Sequence, residues 1–166
     1  QQAGDDIEAR DVWVVLGMRG YGKSTRVGRL VQHWRHTGHD HVVLDLYGEH
    51  NNCRQRVSWQ DVTPKLLEPD ALSLSVVIPS GTRDDQARAL ERLTRLLHAR
   101  HLRRVAAGDS PDEHCTLVVE EVSLTGKTCQ VLYEQMATQS RHWGLSLVLV
   151  SQWAVSYTHL TLPTKA

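Results

Sequence analysis

The chain has 166 residues, 40% hydrophobic and 23% charged, with a formal net charge of zero. That supports one globular domain with a sizeable core, and total charge gives no sign of nucleic-acid binding. Three cysteines, Cys53, Cys115 and Cys129, form neither a paired framework nor a CxxC unit and read as cytosolic thiols, so a cytoplasmic protein is expected. No apolar run spans a bilayer and no signal peptide is visible, while a start at Gln1 fits a trimmed or incomplete chain.

Val12 to Leu16, VWVVL, is a β-rich apolar run expected as a buried strand, and Gly17 opens a loop after it. From Ser24 to about His36, Val27, Leu30, Val31 and Trp34 recur at helical spacing, with Gly38 suited to the C-terminal cap. Val42 to Leu46 predicts a second strand, closed by Tyr47, Gly48 and Glu49. Asn51 to Asp70 shows no clear period and fits an irregular connection or a short helix around Pro64 to Leu67. Leu72 to Ile78 predicts a strand, and Asp84 to Arg104 a long helix with Ala87, Leu90, Leu93, Leu97 and Leu102 on its apolar side. Cys115 to Glu121, CTLVVEE, is a strand ending in two carboxylates. A helix over Thr128 to Arg141 follows, with Val131, Leu132, Gln135 and Met136 as inward candidates, then Gly144 and a strand from Leu145 to Val150. Strands alternating with helices predict an α/β domain with a mainly parallel central sheet flanked by helices.

The end, Val155 to Ala166, does not continue this rhythm. VSYTHLTLPT, Val155 to Thr164, resembles a translated transposon-end adapter of sequencing libraries, every residue matching in one frame. Residues 155–166 are therefore expected to be a non-native tail, and residues 1–154 a partial domain.

The chemistry begins at GMRGYGKS, Gly17 to Ser24, which fits G-x-x-x-x-G-K-[S/T] between an apolar strand and a helix. Gly17 and Gly22 allow backbone angles and a close ligand approach that a β-carbon hinders, and Gly20 adds freedom. Main-chain amides of Met18, Arg19, Tyr21 and the helix start can point at phosphate oxygens. Lys23 reaches the terminal phosphates, Ser24 offers a hydroxyl to Mg2+, and Thr25 completes the first turn or approaches the α-phosphate. ATP and Mg2+ are the expected ligands.

Hydrolysis also needs a carboxylate to organise the metal and another group to orient water. Glu120 and Glu121 end an apolar strand, where a parallel sheet places its active edge. Glu120 is assigned to the metal or its water shell and Glu121 to the attacking water. Gln152, after the last strand, can donate to a γ-phosphate and accept from water.

With these residues in this order, the stretch from Val12 to Gln152 resembles the ASCE P-loop ATPases of the FtsK/HerA group, which includes DNA translocases and conjugation and viral packaging ATPases. HVVLDLYGE resembles that group's second strand and its Asp-x-x-Gly-Glu turn, placing Asp45, Gly48 and Glu49 near the nucleotide edge. LVVEE resembles its acidic strand, and QMATQSRHWGLSLVLVSQ the stretch with a Gly-Arg pair and a sensor glutamine. The resemblance implies Lys23 and Ser24 on nucleotide and metal, Glu121 as catalytic glutamate and Gln152 as sensor. It implies for Arg141 a role at a neighbouring subunit's phosphate or at a ring interface. Glu120 stands where aspartate is usual, and Ser140 where glycine is usual. The implied function is ATP hydrolysis coupled to nucleic-acid translocation, most concretely DNA movement or packaging, by a homo-oligomeric ring. The implied strand order sets Val12–Leu16 beside Leu145–Val150, then Cys115–Val119, then Val42–Leu46. The group's further strand beyond the phosphate-loop strand is not expected here. A P-loop ATPase or nucleotide kinase that moves no polymer, and a nucleotide-dependent assembly module with little turnover, are the alternatives.

Other features carry less. Arg88, Arg92, Arg95, Arg100, Arg103 and Arg104 give the long helix a basic side, expected as a solvated face before a DNA contact. His33, His36, His39 and His41 lack a metal-ligand spacing and are expected to be exposed or locally capped. Cys115 and Cys129 are expected as small buried hydrophobes.

Overall fold

The computed structural model describes residues 12–16, 22–45, 52–78, 82–120 and 130–151. Within them the chain forms β1 (Val12–Leu16), α1 (Lys23–Thr37), β2 (His41–Asp45) and β3 (Gln55–Ser58). A 3-10 turn (Trp59–Asp61), α2 (Val62–Leu67), β4 (Ser73–Val77) and α3 (Arg83–Ala106) come next. The described chain then forms β5 (Cys115–Val119), α4 (Gln130–Trp143) and β6 (Leu145–Ser151). The six strands make one sheet in the order β1-β6-β5-β2-β4-β3, with every pairing parallel.

Strand alternation divides the core in two. Val43, Val118, Val148 and Val150 face α1 and cluster with its Val27, Leu30, Val31 and Trp34. Val42, Leu44, Leu117, Val119, Leu147 and Leu149 face the other way, with Leu90, Leu93 and Leu97 of α3 and Leu66 of α2. Apolar side chains on both faces explain why these strands read as continuous hydrophobic runs, as buried parallel strands do.

Five expectations need correction, the fifth at Arg100. β3 closes an edge of the sheet, and only Val57 of QRVS is buried, so its sequence carries little apolar signal. Leu102 is 55% exposed, because α3 outruns the sheet that its apolar side covers. Gln135 is exposed rather than inward; a neutral amide on α4 is better solvated than buried. His41, finally, is fully buried instead of exposed. Its Nδ1–H donates to the His39 carbonyl at 2.7 Å, and Ser73 Oγ donates to Nε2 at 2.8 Å, so both ring nitrogens are satisfied.

At the sheet's N-terminal edge lies a cavity of about 420 Å³, lined in part by Asp40, Arg100, Arg104 and His101. Arg100 was expected on a solvated basic face. Instead it is buried and donates to the carbonyls of Leu66, Glu68 and Asp70 at 3.0, 2.6 and 2.9 Å. The guanidinium thus clamps the turn between α2 and β4, while Arg104 pairs with Asp40 and Asp109.

Candidate active site

In parallel strands the C-terminal ends share one edge, and register says which residues arrive there together. Leu16 pairs with Ser151 and Val119 with Leu149. The C-terminal ends of β1, β5 and β6 therefore lie at the same edge. β6 lies between β1 and β5, so the loop strand and the acidic strand stand about 10 Å apart, two strand spacings.

At this edge α1 begins. Gly22 caps it at φ 76° and ψ 16°, the left-handed region that glycine enters without a β-carbon clash. No side chain caps the start and no acidic residue lies in the first turn. The first amides of α1 and its positive dipole end are thus left for an external anion. Val27, Val31 and Trp34 fix the helix against the sheet, holding that N-terminus in place. Ser24 and Thr25 are exposed in the first turn. Lys23 opens the helix. Gly17, Met18, Arg19, Gly20 and Tyr21 lie outside the described residues, as do Glu121 and Gln152.

Glu120 is half-buried just past β5. Val118 belongs to the α1 face, so the alternation carried on assigns Glu120 to that face too. Leu44 pairs with Val119, and one step further the register sets Asp45 of β2 beside Glu120. Asp45 is 1% exposed and accepts from Ser75 Oγ at 3.2 Å. Burial, and after it the negative charge of Asp45, pushes the Cys53 thiol up to about 12. Residue reading placed Asp45 at the nucleotide edge only through the family turn and gave it no role. The available signal was a carboxylate closing an otherwise apolar strand.

Arg141 sits in the last turn of α4, just before Gly144 and the start of β6. That start is the opposite edge of the sheet, about 20 Å along β6 from Ser151 at 3.3 Å per residue. The backbone therefore sets Arg141 at the opposite end of β6 from Ser151. The N-terminal-edge cavity likewise lies at the other end of the sheet from the start of α1. Among the described residues no cluster of three histidines, cysteines or carboxylates is arranged to hold a metal ion. Cys115 is buried and its thiol is pushed up by that burial, which makes it an inert packing group.

The chain is similar in structure to the genome packaging NTPase B204 from Sulfolobus turreted icosahedral virus 2, solved with ATP-gammaS and with AMPPCP. The TM-scores are 0.57 and 0.58, at 18% and 16% identity over 87% of this chain. The fold is that of a P-loop NTPase. The cytoplasmic domain of the Thermomonospora curvata Type VII secretion ATPase EccC aligns at TM-score 0.52 and 20% identity, over 90% of this chain. The pCW3 conjugation coupling protein TcpA with ATPgS aligns at 0.52 and 15%, over 89%. This chain spans 65% of the B204 chain, 18% of the EccC chain and 44% of the TcpA chain. No family model and no curated protein matches the sequence. Among the described residues no helix is long and apolar enough to cross a membrane.

Proposed function

We propose that the protein is an ATPase of the FtsK/HerA type that couples hydrolysis to nucleic-acid translocation, most concretely DNA movement or packaging, as a homo-oligomeric ring. The observation that carries this reading is the order β1-β6-β5 at one sheet edge, with α1 starting there uncapped. Similarity to a genome packaging NTPase and a conjugation coupling protein supports the direction.

In this reading the amides from Gly17 to Thr25 hold the triphosphate, with Lys23 on its terminal oxygens. Mg2+ suits the donors available, because it prefers hard oxygen ligands and Ser24, Glu120 and Asp45 supply them. When bound it neutralises charge on the β- and γ-phosphates. Glu121 accepts the proton of the attacking water, and Gln152 contacts that water and the γ-phosphate. Arg141 acts in a neighbouring subunit's site, since its own lies across the sheet.

Lys23→Ala should abolish ATP-gammaS binding by calorimetry. Glu121→Gln should keep binding and lower turnover about a hundredfold or more, the usual worth of a general base. Duplex DNA should raise the turnover of the intact protein. Unchanged steady-state hydrolysis in Glu121→Gln would remove that residue from the mechanism, and phosphate transfer to a small acceptor would replace translocation with a kinase activity. A nucleotide-dependent assembly module with little turnover is favoured by one observation. Glu120 is a longer carboxylate than the group's usual aspartate and is already half-buried. ATP-dependent oligomerisation without phosphate release is its signature.

A further inference from the structure

α1 carries four basic side chains of lysine and arginine and no acidic residue over Lys23–Thr37. Its outer surface presents Arg26, Arg29, His33 and His36, all exposed. Steps of three and four residues keep them in one stripe, about 15 Å long at 1.5 Å per residue. Among the described residues no carboxylate pairs with Arg26 or Arg29. α3 is different: Asp84 and Asp85 lie in its first turn, Arg95 pairs with Glu91 at 2.5 Å, and Arg104 pairs with Asp109. Among the described residues Arg95, Arg100 and Arg104 of α3 thus have partners within the fold and Arg92 lies over the Trp59 ring, whereas Arg26 and Arg29 of α1 pair with no carboxylate.

The stripe lacks what a protein partner needs. The exposed large hydrophobic residues among the described ones are Leu67 and Leu102, neither on α1, so no apolar centre exists there for a protein interface to bury. A line of exposed arginine and histidine side chains instead suits a regularly charged polymer, which needs cations at intervals and no apolar burial. Asn52 bounds the stripe on one flank, where Gln32 Nε2 donates to Asn52 Oδ1 at 3.2 Å. Gly28 permits that crossing, since a β-carbon there would lie 2.7 Å from Asn52 Nδ2.

We propose that the outer face of α1, through Arg26, Arg29, His33 and His36, seats the phosphate backbone of a nucleic acid. The choice of partner rests on the translocation reading above, while the site itself rests on the charge pattern of α1. Contact is sequence-tolerant and salt-sensitive, and lies on the helix whose first turn faces the nucleotide.

The test is fluorescence anisotropy of the intact protein with a labelled mixed-sequence DNA duplex across a KCl series. Arg26→Gln/Arg29→Gln should make the slope of log affinity against log salt shallower by about 1.8, at roughly 0.9 per lost phosphate contact. Arg26→Lys/Arg29→Lys should keep the slope, as should Arg88→Gln/Arg95→Gln on α3. ATP-gammaS affinity should stay unchanged in all three. If thermal melting shows the double glutamine variant unfolded, Arg29→Gln alone should give about half the change. An unaltered slope in the α1 variants, an equal loss from the α3 variant, or no duplex binding by the wild type overturns the proposal. So does a polyglutamate peptide that binds more tightly than the duplex at matched salt. Duplex binding with the expected slope but no stimulated ATP turnover sinks translocation and leaves this surface standing. Stimulated turnover with an unaltered slope does the reverse.

Discussion

Gly144 turns the chain from α4 into β6 at φ 70°, and a β-carbon built there would lie 2.2 Å from the His101 ring. Gly22 has a similar φ of 76°, yet a β-carbon there meets nothing within 4 Å. The two glycines separate backbone strain from crowding. Gly22→Ala should cost about 1–2 kcal/mol, the left-handed penalty alone. Gly144→Ala should cost visibly more in urea unfolding, and His101→Ala should recover part of the excess. Additive losses in that double-mutant cycle would show that ring and glycine do not interact. Only the left-handed requirement is visible in the sequence. The ring's approach depends on α3 ending over the same edge, which no local pattern encodes.

At the scale of elements, α3 starts with a reciprocal cap. Asp85 N donates to Thr82 Oγ1 at 3.2 Å, and Thr82 N donates to Asp85 Oδ2 at 3.1 Å. Hydrogen bonds from Thr82 hold the Asp85 carboxyl below its ordinary value. Thr82→Ala should destabilise the protein by about 1 kcal/mol, the usual worth of such a cap, as measured by thermal melting. The elements that were legible in the sequence share one cause. HVVLD, CTLVV and LSLVLV are buried on both faces, so each is mainly apolar, its few polar residues buried with the rest. QRVS pairs on one side only and needs one apolar residue, so β3 left no trace. The GMRGYGKS pattern stands out in the sequence because a phosphate-binding backbone demands its glycines and lysine, and most of it lies outside the described residues. Asp45 was not assigned, because its place beside Glu120 follows from strand register, and register is a property of the assembled sheet.

Across the whole molecule, buried polar groups on the N-terminal side tie stability to pH. His39 Nε2 lies 2.7 Å from Thr116 Oγ1, and Trp34 packs against both His39 and His41. Burial lowers both imidazoles below their ordinary 6.5, with Asp40 opposing that shift and the neighbouring histidine or Arg54 adding to it. Their folded forms are therefore neutral where the unfolded chain already binds protons. The corresponding stability is complete above about pH 6.5 and declines as pH falls toward the folded values. Chemical denaturation at pH 7.5 and 5.5 should show this loss, and His41→Gln should lessen the difference. An equal drop in His41→Gln would place the acid sensitivity elsewhere.

The position of β6 between β1 and β5 has a consequence for biosynthesis. β1 emerges first and carries the phosphate loop, yet its hydrogen-bonded neighbour in the described sheet is β6, through Val12↔Leu147 to Leu16↔Ser151. While the ribosome is still making α4, β1 has no rung to dock on and β5 lacks its companion on the same side. Until β6 is made, the nascent chain thus carries a sticky apolar segment, a hazard of high contact order that makes it a natural client for holdase chaperones.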